Sequence, residues 1–269
     1  MKKRTLESKT AGAPARRHLF ISGLSLFFLL TATPRLFAVD TQKEIFAQRA
    51  KAAYDVAQAR YQSSTNDPVL AWQFARTCYD WADWATNKEQ RAAIAREGMA
   101  ACRWSLVLTN SAAGHYYLAL DMGQLAQAET LSALKLVHEM EGEFKDAADL
   151  DVNFDFGGAD RGLGLLYRDA PGWPISIGNR HKAHEYLERA LAIAPDYPEN
   201  ILNLAEAFLK WGDYMDAKKE LDALDALWPR AQKDLSGPRW ELSWVDWYSR
   251  RYAAREKLNQ ALPSHDRAR

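Results

Sequence analysis

An all-α fold, built of antiparallel helical hairpins stacked into a curved solenoid, is what this chain of 269 residues predicts. Three observations lead there. Alanine and leucine dominate, glycine is modest, and no apolar/polar alternation of the strand kind appears. Pro195 and Pro229 lie 34 residues apart, and each ends an amphipathic stretch, which is the mark of an internal repeat. The stretch Asp151–Asn200 lays out one whole hairpin. It has an Asp- and Gly-rich turn, a short apolar helix over Asp160–Tyr167, an irregular loop over Ala170–Arg180, and an amphipathic helix over His181–Ala194 closed by Pro195. The hairpin recurs in Pro198–Pro229 without the elaborate loop.

The elements follow in order. Residues 1–38 carry Lys2, Lys3, Arg4, Lys9, Arg16 and Arg17 ahead of an apolar run, Leu19–Leu30, with small residues near Ala38. That is the order of a secretory signal, and the run is shorter than the roughly 20 residues that span a bilayer. Phe37-Ala38 follows a large Leu36, so an uncleaved N-terminal anchor is the alternative, and Arg16-Arg17 also resembles a twin-arginine signal. The expected location is therefore exported and periplasmic, with membrane attachment only through an uncleaved signal. Residues 39–66 hold one amphipathic helix with Phe46, Ala50, Ala53 and Ala57 on its apolar face. Residues 67–231 are the repeat array. Asp67-Pro68 supplies an N-cap and a first-turn proline; Asn87 reopens the chain before Lys88–Leu108; Asn110–Gly114 turns into the helix GHYYLAL. Ala133, Val137, Met140, Phe144 and Ala147 then form a stripe at helical spacing. Residues 232–269 are a capping helix and tail, on which Trp240, Trp244 and Trp247 recur at i, i+4 and i+7 to cover the open end of the stack.

In a 34-residue unit that places Pro229 at position 32, Leu204, Ala205 and Phe208 fall at 7, 8 and 11, Gly212 at 15, and Tyr214, Ala217, Leu221 and Leu224 at 17, 20, 24 and 27. That order resembles a tetratricopeptide repeat (TPR), and WGDYMDA is close to its usual turn. Each position has a packing reason: Ala205 and Ala217 let two helices approach, Gly212 permits the turn, and Pro229 stops the second helix by lacking an N–H. Leu163, Gly164 and Tyr167, with Ala183, Leu187, Ala190 and Pro195, fit the preceding unit if seven residues are added between its helices. The resemblance covers roughly Asp67–Arg230 and implies about ten helices in a TPR-like α-solenoid that works by binding a protein or peptide. The chain is also similar to the T component of TRAP-type solute transporters in its size, its signal and its repeats, although no lipid-attachment cysteine follows the signal. That narrower resemblance implies a ligand-holding periplasmic subunit working with an extracytoplasmic solute-binding protein.

Composition excludes one class of partner. The whole chain balances 35 basic against 35 acidic residues, but residues 1–38 hold seven basic and one acidic, leaving a net charge of about −6 beyond them. Nucleic acid requires a basic face, so no nucleic-acid partner is expected. Asp149, Asp151, Asn153 and Asp155 have a calcium loop's oxygens, but Phe156 and Gly162 stand where its glycine and bidentate glutamate belong. His181 and His184 offer two ligands where a catalytic zinc usually takes three, and His115 and His138 are isolated in sequence. There is no Gly-x-Ser-x-Gly, phosphate-cradling loop or Cys-x-x-Cys. Neither catalysis nor a cofactor or metal is expected. Cys78 and Cys102 lie on one hairpin and would pair only if their Cα atoms came within about 7 Å; the favoured reading is two small buried hydrophobes.

The family's geometry implies that positions 2, 5, 9 and 12 of each first helix face a concave groove. It selects Arg161, Leu165 and Arg168, then Leu202, Glu206 and Leu209, and Tyr117 with Asp121 to within one residue of register. Two arginines beside apolar and aromatic surface would suit a ligand with an anionic group, since Arg grips a carboxylate through two parallel hydrogen bonds. The other reading is that Arg161 and Arg168 only pair with nearby carboxylates. Trp173, between Pro171 and Pro174, would wall a ligand site or, the reading preferred, plug a gap between hairpins.

Overall fold

The computed structural model describes residues 34–129 and 133–262. Ten α-helices run through them: α1 (Pro34–Ser63), α2 (Pro68–Ala82), α3 (Lys88–Leu108), α4 (Ala112–Ala128), α5 (Ala133–Leu150), α6 (Gly158–Asp169), α7 (Arg180–Ile193), α8 (Pro198–Trp211), α9 (Tyr214–Asp234) and α10 (Glu241–Ala261). No strand occurs among the described residues. The pairs α2/α3, α4/α5, α6/α7 and α8/α9 are hairpins, each stacked on the next, and α10 lies over α8 and α9. This is the TPR-like helical solenoid that the repeat predicts. The signal expected over residues 1–38 lies outside the described residues except for the start of α1. None of the described helices is long and apolar enough to cross a membrane.

The helix starts are chemically specified. The Asp67 side chain accepts from the Val69 and Leu70 amides, with Pro68 in the first turn; Asn87, Ser111 and Asn179 cap α3, α4 and α7 in the same way. Gly212 ends α8 at φ +82°, where a side chain would be strained, and so permits the turn into α9. Ala205 and Ala217 are fully buried where α8 meets α9.

Two local expectations need correction. Pro229 does not stop its helix: α9 continues to Asp234. The missing N–H costs one backbone hydrogen bond, but Trp228 and Ala231 are buried on either side of it. Trp228 meets Trp244 and Tyr248 of α10 edge-on, at 5.1 and 5.2 Å between ring centroids. Packing of the following turn outweighs the local breaker. On α1 the apolar face is shifted: Ala53 is exposed, and Phe46 and Tyr54 are buried. The Tyr54 ring lies 5.4 Å from that of Phe74 on α2 and its hydroxyl donates to Glu97 on α3. At the middle of α1, Arg49 pairs with Glu241 of α10. The helix thus touches both the first hairpin and the cap.

The cap behaves as the tryptophan spacing predicts. Trp247 is fully buried, its ring 4.9 Å from Trp244 and 5.6 Å from Tyr197. Its indole N–H donates to Glu199 of α8. Cys78 and Cys102 are free and buried, and burial pushes both thiols well above their ordinary range.

Candidate interaction groove

The first helix of every hairpin, together with α10, lines one hollow of roughly 520 Å³. Tyr79, Asp80 and Asp83 come from α2 and its C-terminal cap, Tyr116 and Leu120 from α4, Arg161 and Leu165 from α6, Glu199 from α8, and Asp246 and Arg250 from α10. A second, apolar hollow of roughly 390 Å³ shares Tyr79, Leu120, Gly162 and Leu165 with it and extends to Val137, Met140 and Phe144 of α5. The shared residues make the two hollows neighbours along one wall.

The structure divides the expected groove residues. Arg161 and Leu165 line the hollow. Tyr117 and Asp121 do not: they are buried between helices, and the groove-facing residues of α4 are Tyr116 and Leu120, one position earlier. Tyr117 stacks on Trp72 at 5.8 Å, with the planes 1° apart. Leu202 is fully buried in the core. Glu206 is taken by Arg250, which reaches both its oxygens at 2.9 and 2.8 Å. Arg168 folds onto its neighbour Asp169, at 2.9 and 2.7 Å, and Lys210 joins the same carboxylate. Trp173 neither plugs a gap nor walls a site. It is 89 % exposed, at the tip of a loop closed by the Gly178 amide donating to the Pro171 carbonyl. The loop is held by its own backbone, so the ring is not needed to hold it.

Arg161 lines the hollow, but both its terminal nitrogens are already used. It is buried, and its guanidinium donates to the carbonyls of Asp155 and Phe156, to Asn200 Oδ1 at 3.0 Å, to Tyr116 Oη and to Asp155 Oδ2. The reason lies in the turn before α6. Asp155, Phe156 and Gly157 all have positive φ, a conformation that costs an L-residue about 1–2 kcal/mol each. The guanidinium offsets that cost by satisfying the turn's carbonyls in a buried place. Asn200 completes the clasp by donating to the Phe156 and Ala190 carbonyls, both at 2.9 Å. The acid-rich segment read against a calcium loop is therefore held by an arginine.

Arg250, on the opposite wall, has a similar duty. It bonds Glu199 at 2.7 Å, Glu206 in bidentate fashion and Asp246 at 3.0 Å. Burial would raise the Glu199 carboxyl, but Arg250 and Arg161 and the hydrogen bonds from Arg250 and Trp247 hold it below its ordinary value. Asp80 has the reverse balance. Burial pushes it up to about 6, Asp83 and Asp155 add to the rise, and Arg76 opposes it. Asp80 lies open to solvent on the rim of the hollow.

One constellation escaped the sequence because its members are far apart in the chain. His115 of α4 sits between Glu143 of α5, 2.5 Å from Nδ1, and Asn110, 2.7 Å from Nε2, with Asp146 at 4.0 Å. His115, Glu143 and Asp146 are close enough together to hold a cation. Both ring nitrogens already have partners, which is what a hydrogen-bonded link between α4 and α5 requires.

Comparison with known proteins now bears on this architecture. Residues 178–232 match the family model described as tetratricopeptide repeat. That segment, over α7 to α9, carries the tetratricopeptide repeat. Among solved structures, TTC0263, a thermophilic TPR protein in Thermus thermophilus, superposes with a TM-score of 0.54 at 19% identity, covering 82% of this chain and 94% of that one. MamA matches with a TM-score of 0.48 at 17% identity, over 69% of this chain and 95% of its own. At such identities the likeness concerns the fold alone. No curated protein matches the chain. TPR folds are typically non-catalytic scaffolds that bind protein partners.

Proposed function

We propose that this chain is an exported, non-catalytic TPR scaffold that receives a segment of a protein partner in its concave hollow. The observation that carries the reading is the lining itself: all four first helices and α10 contribute side chains to one open cavity, and an apolar annex adjoins it. Stacked hairpins create an extended inner surface that needs no moving parts to bind. Export rests on the basic, apolar and small-residue order of residues 1–38.

The test places a photo-crosslinking amino acid at Leu165, which lines both hollows, and in a second protein at Val107, 73 % exposed on α3. Crosslinks to one protein at 165 and none at 107, lost when Leu120→Trp fills the wall, are expected. Equal crosslinking at both positions, or crosslinks that survive Leu120→Trp, would remove the groove as the binding surface. Fractionation of the expressing cell tests export: the chain should be found outside the cytoplasm, and recovery in the cytoplasm at full length would refute that part.

A further inference from the structure

The chemistry of the segment that fits the hollow follows from which of its charges remain free. Five carboxylates line it, those of Asp80, Asp83, Asp155, Glu199 and Asp246, against two guanidiniums, those of Arg161 and Arg250. Both cations are committed to the fold. Arg161 is closed around Asp155 and the turn, and Arg250 ties α10 to Glu199 and Glu206. Neither has a bidentate edge left for an incoming carboxylate. The acids are not used up in the same way. Asp80 accepts no hydrogen bond and forms no close ion pair among the described residues; Arg76, one turn earlier on α2, acts on it only electrostatically. Asp83, the C-cap of α2, accepts from Gln124 at 2.7 Å and stands 3.8 Å from Arg91, with its other side exposed. Asp246 faces them from α10, sharing Arg250 with two other carboxylates.

The rings around these acids favour the same sign. Tyr79 and Trp84 line the hollow, and an aromatic face attracts a cation within about 6 Å of its centroid. Two neighbouring acids at one helix end, which Arg76 and Arg91 approach without a close ion pair, favour a further positive group beside them. Beside them, the wall from Leu120 and Leu165 to Met140 is apolar.

Resting on the proposed scaffold function, we infer that the groove is selective for a basic segment of a partner protein, placing a lysine or arginine against Asp80 and Asp83 and an adjacent apolar side chain in the annex. This reverses the anionic ligand expected from Arg161 and Arg168.

The test uses three fluorescently labelled 12-residue peptides of equal length, alternating leucine with lysine, with glutamine or with glutamate, titrated against the full chain. The lysine peptide should bind at least tenfold tighter than the glutamate peptide. Asp80→Asn with Asp83→Asn should cost it at least tenfold, whereas Asp149→Asn with Asp216→Asn, exposed acids outside the hollow, should cost less than twofold. Circular dichroism of each variant checks that the fold is kept. Equal affinity for lysine and glutamate peptides, no binding of any peptide, or equal losses in the two double variants would overturn the charge assignment. Leu165→Trp separates this failure from that of the groove. Binding without charge preference that Leu165→Trp abolishes would leave the groove and remove the selectivity; lysine-peptide binding that Leu165→Trp does not touch would remove the groove itself.

Discussion

Asp121 should make this protein lose stability as pH rises, and Asn in its place should abolish that loss. Its carboxyl is fully buried on α4, and neither oxygen has a hydrogen-bond partner among the described residues. The helices are too close there to admit anything else: a Cβ added to Gly98 of α3 would lie 2.2 Å from Asp121 Oδ2. Burial, and to a lesser degree Asp80, hold the group well above the ordinary carboxylate range, so the folded protein keeps its proton. The unfolded chain releases it near pH 3.9. Above that pH the unfolded state binds fewer protons than the folded one, so unfolding becomes easier by about 1.4 kcal/mol per pH unit until the folded group ionises. From pH 5 upward the wild-type protein should therefore lose stability through this group until it ionises in the fold. Asp80, whose carboxyl is also raised, acts in the same direction and is present in both proteins. Asp121→Asn keeps the shape and cannot ionise. Urea unfolding followed by tryptophan fluorescence at pH 5, 6 and 7 gives both curves. The gain of the variant over wild type should grow with pH, and the pH at which it levels off reports the folded group's own ionisation. Parallel curves, or a gain that shrinks with pH, would show that the carboxylate is charged and partnered in the fold.

Other changes have direct readings. Gly98→Ala should be severely destabilising, read as a fall in melting temperature, because the new methyl overlaps a buried side chain of the next helix. Arg161→Ala should cost about 3–5 kcal/mol in urea unfolding, since it removes the cation paired with Asp155 and the donor to the Asp155 carbonyl. Trp247→Ala should cost about 3–5 kcal/mol and expose α8 to proteolysis, as the ring is the buried anchor of the cap. Trp173→Ala should change stability by no more than about 0.5 kcal/mol, because the ring projects into solvent. A thiol reagent should leave Cys78 and Cys102 unmodified in the native protein and label both once urea unfolds it.

The fold was legible in the sequence where one residue's environment repeats. Ala205, Ala217, Leu221 and Leu224 sit at helix–helix contacts fixed by periodicity alone, and all are buried. Pro229 misleads because a local breaker is weighed there against Trp228 packing on α10, which is absent from any local window. The groove was less legible, for two reasons. A helical register wrong by one residue turns a side chain by about 100°, which is the difference between Tyr117, stacked in the core, and Tyr116, on the wall. And a charge in sequence carries no sign of its partner. Arg161 and Asp155 are six residues apart and their pairing depends on the turn between them, whereas Arg250 finds Glu206 from 44 residues away.

The positions of those two arginines bear on how an open stack keeps a defined inner face. A solenoid hairpin contacts only its neighbours, so nothing in the repeat itself fixes the distance across the hollow. Here long side chains supply that restraint. Arg161 joins the turn before α6 to Tyr116 of α4 and Asn200 of α8, while Arg250 ties α10 to α8. Arginine suits the duty because one planar group with five donors satisfies carboxylate and carbonyl together and stays charged when buried. The consequence is electrostatic. Cations serve as struts, each needing acids or carbonyls of the chain, and the acids left over, Asp80 above all, face the hollow without a hydrogen-bonded partner among the described residues. The same residues that hold the wall in place thereby set the sign of what it can receive.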